Sequence, residues 1–179
     1  MIDRIETSRL LLTRPVEAEF PEYVRFNADP KVMATLGGVR TEAQAREIFD
    51  RMLGSWTAVG FGLWTMRDRV TGAFIGRGGA RVVYLEGKPE TEVGYGLYSE
   101  YWGKGLATEV AREAQRVAFE IIGVPDLVCF TLPTNKASQR VMEKVGFRFE
   151  RNGTFLNLSH VIYGITREQW RQRSARSVS

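Results

Sequence analysis

Thr91–Glu120, TEVGYGLYSEYWGKGLATEVAREAQRVAFE, is the stretch on which the reading of this chain turns. Residues 91–97 alternate as a strand does, and a glycine turn follows at Gly103 and Gly105. Leu106, Val110, Ala114, Val117, Ala118 and Ile121 then recur along one helix stripe. A strand that enters a helix through glycines leaves several consecutive N–H groups open at the positive end of the helix dipole. Such a junction cradles anions, above all phosphates.

Two better-known phosphate motifs do not fit. A P-loop needs glycine at 98 and Ser or Thr at 105, where Tyr98 and Gly105 stand. A dinucleotide fingerprint needs a third glycine at 108, which is Thr108. On its own the turn is equally compatible with a glycine-rich bend before an ordinary surface helix.

A second stretch, Leu127–Phe147, LVCFTLPTNKASQRVMEKVGF, changes the balance. An apolar strand ends at Pro133, and Thr134 or Asn135 caps a short helix with Ala137, Val141 and Val145 on one face. Gly146 stops that helix before Phe147. Together with Glu92–Leu97, Tyr101–Glu109, Glu6–Leu12, Gly76–Gly79 and Glu168–Trp170, these segments resemble the GNAT superfamily of N-acetyltransferases. The resemblance is greatest to the branch of RimJ/RimL-type ribosomal-protein N-terminal acetyltransferases. The superfamily's cofactor motif opens on Arg or Gln; here Trp102 occupies that place, followed by Gly105 and Ala107.

That resemblance implies acetyl-CoA as co-substrate and an amine as acceptor, either a protein N-terminus or a small molecule. It also implies an α/β (α+β) fold: a central mixed, mostly antiparallel twisted sheet of about seven strands, with helices on both faces and a splay between the fourth and fifth strands. Residues 1–170 are expected to form one N-acetyltransferase domain, with a frayed basic tail at 171–179. A monomer or homodimer fits this reading.

Composition narrows the class further. The chain has 179 residues, 44% of them hydrophobic, and carries a formal charge of +4, which suits an anionic cofactor. Lys and Arg are scattered and no nucleic-acid motif appears, so nucleic acid is not the expected partner. No apolar run approaches the ~20 residues that span a bilayer, and no signal region opens the chain, so the expected location is the cytoplasm. One cysteine, Cys129, and one histidine, His160, make a metal site or internal disulfide unexpected.

Along the chain, Arg9–Arg14 reads as a strand and Glu17–Asn27 as a helix ending near Asp29-Pro30. Thr41 and Gln44 make a capping box for a helix bearing Ile48, Met52, Leu53 and Trp56. Strands follow at Gly60–Arg69, Ala73–Tyr84 and Thr91–Leu97, then at Asp126–Leu132, parallel to its predecessor. A last hairpin spans Phe147–Phe155 and Asn157–Thr166, turning either at Arg151–Gly153 or near Asn157, with a terminal helix over Arg167–Arg173.

Site roles follow from the resemblance. The backbone of Gly103, Lys104, Gly105, Leu106, Ala107 and Thr108 is expected to hold the phosphates. Gly96, Leu97 and Tyr98 would lie beside the thioester, on a strand that a bulge separates from its neighbour. Asn135 and Ser138 are expected near the pantetheine and sulfur, with Ser138, a tyrosine or water returning a proton to the thiolate. Glu92 is the expected general base acting through water, with Glu90 and Glu100 as competitors and an ion pair to Lys88 or Arg81 as the structural alternative. His160 reads as a hydrogen-bonded structural residue or a second base, and Cys129 as an inert thiol.

Overall fold

The structure is a computed structural model describing residues 2–176. One eight-stranded sheet runs through the chain: β1 (Arg4–Glu6), β2 (Leu10–Thr13), β3 (Leu63–Asp68), β4 (Phe74–Leu85), β5 (Lys88–Leu97), β6 (Asp126–Thr131), β7 (Arg148–Phe155) and β8 (Leu158–Thr166). Their order is β1-β2-β3-β4-β5-β6-β8-β7, antiparallel throughout except for the parallel β5–β6 pair. The helices are α1 (Phe20–Ala28), α2 (Pro30–Met33), α3 (Glu42–Val59), α4 (Leu106–Arg116), α5 (Lys136–Lys144) and α6 (Arg167–Arg176). This is the expected α/β fold with one more strand than anticipated. The addition, β1, has only three residues, too few to carry a period, and is defined by pairing Ile5 with Leu12.

Helices cover both faces of the sheet. On one face a Cβ at Gly78 would meet Val110 of α4 at 3.0 Å. On the other, a Cβ at Gly96 would lie 2.9 Å from Leu36, which follows α2, and 3.4 Å from Phe26 of α1. The α4 side holds the largest apolar cluster, where Val110, Ala114, Val117 and Val93 are almost fully buried. Each of the three valines contributes roughly 1.5–3 kcal/mol, and the alanine methyl about 0.8 kcal/mol.

Local signals explain most helix ends. Thr41 Oγ1 accepts from the Gln44 amide at 3.3 Å, and Gln44 Oε1 accepts from the Thr41 amide at 3.0 Å, as the capping box requires. Asn135, not Thr134, caps α5, its Oδ1 accepting from the Ser138 amide at 3.1 Å. Gly146 ends α5 at φ +101°, where the Phe147 amide donates to Met142 C=O and the Gly146 amide to Glu143 C=O.

Other expectations are corrected. Ile121 is 54% exposed because α4 continues into a π-helical turn, Val117–Ile122. The wider turn rotates the stripe and buries Phe119 instead. Ala137 is exposed, and α5 buries Gln139, Met142 and Val145, with Val141 half-buried. Of the two turns the sequence left open for the last hairpin, the one near Asn157 forms: Leu156 and Asn157 both have positive φ, the backbone of a two-residue hairpin turn. The terminal helix runs three residues past Arg173 to Arg176, and the tail residues 177–179 lie outside the described residues.

The register shifts fall in β3–β4 at Met66/Arg67 and in β7–β8 at Phe149/Arg151, rather than as the bulge expected in β5. What parts β5 from β6 is the splay itself, since their register consists of Glu92 opposite Val128.

Gly76 (φ +153°) is the tightest backbone approach in the centre of the sheet: a Cβ there would strike the carbonyl oxygen of Gly96. Gly76→Ala is therefore expected to destabilise the fold by about 2–4 kcal/mol, read as a lowered urea midpoint with an unchanged m-value.

Candidate active site

The sheet opens where β5 and β6 run parallel. Pairing is confined to Glu92 and Val128, so the rest of β5, Val93–Leu97, presents an edge with no registered partner in β6. The C-terminal ends of both strands lead to a helix N-terminus, β5 to α4 through the glycine turn and β6 to α5 through Asn135. Open sheets bind ligands at such a switch point.

Gly103 and Gly105 both adopt left-handed backbone, at φ +71° and +79°. The first intrahelical bond is from the Glu109 amide to Gly105 C=O at 3.1 Å, so the amides of Leu106, Ala107 and Thr108 precede the ladder, and no side chain caps the helix. The side chains of Leu106 and Thr108 are buried, leaving the backbone as what these positions offer a ligand. Lys104 is exposed, its ammonium 5.6 Å over the Tyr101 ring. Trp102 donates from Nε1 to Leu97 C=O at 2.8 Å and ties the end of β5 to the turn.

A clamp on this turn went unread in the sequence. Glu109 accepts from Thr7 Oγ1 (2.6 Å), Ser8 Oγ (2.9 Å), the Arg9 amide (2.9 Å) and Arg9 Nε (2.8 Å), while Arg9 Nη1 donates to Lys104 C=O at 2.7 Å. The Glu6–Leu12 segment thus has a physical purpose: it fixes the cradle from the far end of the chain. Burial pushes the Glu109 carboxyl up, but the hydrogen bonds from Thr7, Arg9 and Ser8 outweigh it and hold it below the usual range. No local periodicity signals a contact about a hundred residues apart in sequence.

At the other helix terminus, Asn135 spends its side chain internally, with Oδ1 on the Ser138 amide and Nδ2 on Thr131 Oγ1 at 3.0 Å. Ser138 Oγ lies 3.0 Å from the Tyr95 hydroxyl. Burial holds the Tyr95 phenol well above its usual range, so it keeps its proton. Tyr95 was not singled out in the sequence, although its place between Gly94 and Gly96 marks it as the side chain that β5 sends toward α5. Two further tyrosines near this end are engaged elsewhere: Tyr98 packs on Phe26 and Phe74, and Tyr163 donates to Glu143 Oε1 at 3.3 Å. The Tyr98 amide is also committed, to Ile75 C=O at 3.0 Å, while the Leu97 side chain lies in the core.

Glu92 lies on the opposite face, toward α1–α3, and is 4% exposed, whereas Glu90 is half-buried and Glu100 exposed. Arg81 Nε donates to its Oε2 at 2.5 Å. Its Oε1 lies under Gly94, 3.4 Å from where a Cβ there would sit. His160 shares this sheet face, but it is boxed by the rings of Phe130 (5.3 Å) and Phe155 (6.1 Å), and its Nδ1 is 2.8 Å from Leu158 C=O. Cys129 is buried, and burial followed by the charge of Glu92 raises its thiol well above the usual range. Among the described residues no group of three His, Cys, Asp or Glu side chains is placed to hold a metal, and no helix is long and apolar enough to cross a membrane.

The family model described as an acetyltransferase (GNAT) domain matches residues 9–148. The chain belongs to the GNAT acetyltransferase family. It is 32% identical over 123 residues to the Bacillus subtilis protein YkkB, covering 69% of this chain and 72% of that one. It is 30% identical over 184 residues to the FsC-acetyl coenzyme A-N(2)-transacetylase of Aspergillus fumigatus, covering 93% of this chain and 77% of that one. The fold superposes on the crystal structure of an acetyltransferase from Agrobacterium tumefaciens with a TM-score of 0.80 at 27% identity, over 92% of this chain and 95% of that one. The acetyltransferase is accordingly an acyl-transfer enzyme that uses acetyl-CoA, and the glycine turn with its open amides fits the anionic end of that molecule.

Two outcomes are expected. Gly105→Val should raise the Kd for CoA by at least ~10-fold in calorimetry, because the side chain strains a left-handed residue and covers the amides. Glu109 has its folded-state carboxyl lowered from 4.5, so its stabilisation is present above that value and lost as pH falls through the lowered one. The melting-temperature gap between wild type and Glu109→Gln should therefore be widest near neutral pH and shrink toward pH ~3.

Proposed function

We propose that the acceptor is the α-amine at the N-terminus of a peptide or protein, and that it reaches the splay from the α1–α3 side of the sheet. The observation that carries this reading is Glu92, a buried carboxylate at the residue where β5 pairs with β6, with one oxygen held by Arg81 and the other under Gly94. Support for a peptide acceptor comes from the resemblance of Glu92–Glu109 to the ribosomal-protein branch.

Acetyl-CoA supplies the thioester carbonyl and the leaving sulfur. In this reading Glu92, through water, takes one proton from the acceptor ammonium. The free amine then attacks the thioester carbonyl, its nitrogen forming the new C–N bond as the C–S bond breaks and giving its second proton to water, while Ser138, backed by Tyr95, protonates the departing sulfur and is reprotonated from solvent. Holding both reactants in one cleft contributes roughly 7–11 kcal/mol, while a general base contributes about 10²–10⁴ in rate, roughly 3–5 kcal/mol. Positioning is the larger contribution, so few catalytic side chains suffice.

A second reading, a small-molecule amine, is favoured by the Aspergillus fumigatus relative, whose name places its transfer at an N(2) position. CoA release measured with N-terminal peptides, free amino acids, a polyamine and an aminoglycoside separates the two. Turnover of peptides above all others supports the first reading, and turnover confined to small amines replaces it with the second. CoA binding with no turnover of any amine would overturn both and leave an acyl-CoA-binding module.

Glu92→Gln should lower turnover by about 10²–10⁴ near neutral pH with acetyl-CoA affinity intact, and the loss should shrink as pH approaches the pKa of the acceptor amine. Wild-type turnover across the pH range would make Glu92 a purely structural partner of Arg81.

A further inference from the structure

The face of the sheet that carries Glu92 also buries Glu19, which accepts from Thr65 Oγ1 and pairs with Arg67, yet one arginine on this face is left without a carboxylate. Arg77 registers across from Gly96 on β5, and Arg81 across from Glu92, so both arginines share the α1–α3 face. Arg81 is spent on Glu92. Arg77 is not: its Nη1 lies 3.5 Å from Met52 Sδ, a weak acceptor, and its guanidinium carbon 6.0 Å from the centroid of Phe26. Among the described residues no carboxylate lies within ion-pair distance of it. Arg40, from the segment between α2 and α3, acts on the same guanidinium, and its Nη1 donates only to the carbonyls of Gly37 (2.6 Å) and Gly38 (2.8 Å).

A guanidinium offers five donors in a planar fork, and Arg77, half-buried on this face, has no anion to take them. Burial first, then the like charge of Arg81, pulls Arg77 down to about 10, against the opposing influence of Tyr23 and Glu92. Met52 and Phe26 fill space around the fork but satisfy little of it. The register with Gly96 puts the fork beside the end of β5, where the proposed reaction brings acetyl donor and amine together.

We infer that the acceptor carries a carboxylate close to its amine and that Arg77 receives it, with Arg40 adding to the positive potential. Planar bidentate recognition is what arginine does best with a carboxylate, and Glu92 already occupies the competing partner, Arg81. The chemistry fits a free α-amino acid or a peptide whose first residue is Asp or Glu. This inference rests on the N-acetyltransfer reading and names its substrate class.

The test compares matched acceptors: free glutamate and aspartate against their α-amides, and Asp- or Glu-initiated peptides against the Asn- and Gln-initiated ones. In wild type the acid member of one source should be favoured by roughly 10²-fold in kcat/KM, and whichever source shows it identifies the acceptor. Arg77→Gln should bring that ratio close to one, chiefly through KM, and Arg77→Lys should keep part of it. CoA affinity by calorimetry verifies that both variants are folded. Calorimetry of the N-acetylated acids and their amides with CoA-loaded enzyme gives a second readout independent of turnover. Equal use or binding of acid and neutral members by wild type, no binding of either, or an undiminished acid preference in Arg77→Gln would overturn the inference. Turnover of neutral amines alone would overturn it and leave N-acetyltransfer standing. Arg77-dependent binding of acids without turnover would support it and overturn the transfer.

Discussion

The structure depends on a pairing that stops. β5 and β6 are held parallel at Glu92 and Val128, and beyond that register the sheet opens. Backbone N–H and C=O groups demand partners, so an edge left unpaired in the middle of an eight-stranded sheet is open to a ligand. The strands on either side keep the opening from closing: β4 pairs with β5 along its whole length, and β6 pairs with β8 from Asp126 to Thr131.

Glycine makes this geometry possible at two places for different reasons. Gly76 lets β4 approach Gly96 more closely than any side chain allows, which fixes the end of β5. Gly103 and Gly105 supply left-handed backbone, which turns consecutive amides outward ahead of α4. The second device is held from outside by Arg9 and Glu109, one grasping the Lys104 carbonyl and the other collecting donors from Thr7 to Arg9. A loop that receives an anion must not reorganise at every binding event, and a half-buried, multiply bonded carboxylate is an effective anchor.

The two faces of the opening carry different chemistry. Toward α4 and α5 stand neutral hydroxyls, Tyr95 and Ser138, suited to holding a proton near a sulfur. Toward α1–α3 stand charges, Glu92 with Arg81 and Arg77 without a counter-ion. Since side chains alternate across a strand, residues 92–96 of β5 send Glu92 to one face and Tyr95 to the other. One strand therefore serves both reactants.

The sequence by itself determined most of the elements and several of their ends. Thr41 with Gln44, Gly146 after α5, and the glycine turn before α4 are local devices that act within a few residues, so they are legible from spacing alone. The resemblance supplied the splay and the candidate residues, but periodicity gave no more than a mixed α/β chain. Tertiary structure decided what distance along the chain conceals: that Arg9 serves Glu109, that Tyr95 meets Ser138, and that Arg81 rather than Lys88 holds Glu92. It also overruled the helix stripe at Ile121, where a π-helical turn shifts the phase that a 3.6-residue period assumes. Local signals fix where elements begin and end because their partners are a turn away. Which side chains share a cleft is set by strand order and register, and these exist only once the sheet has closed around its core.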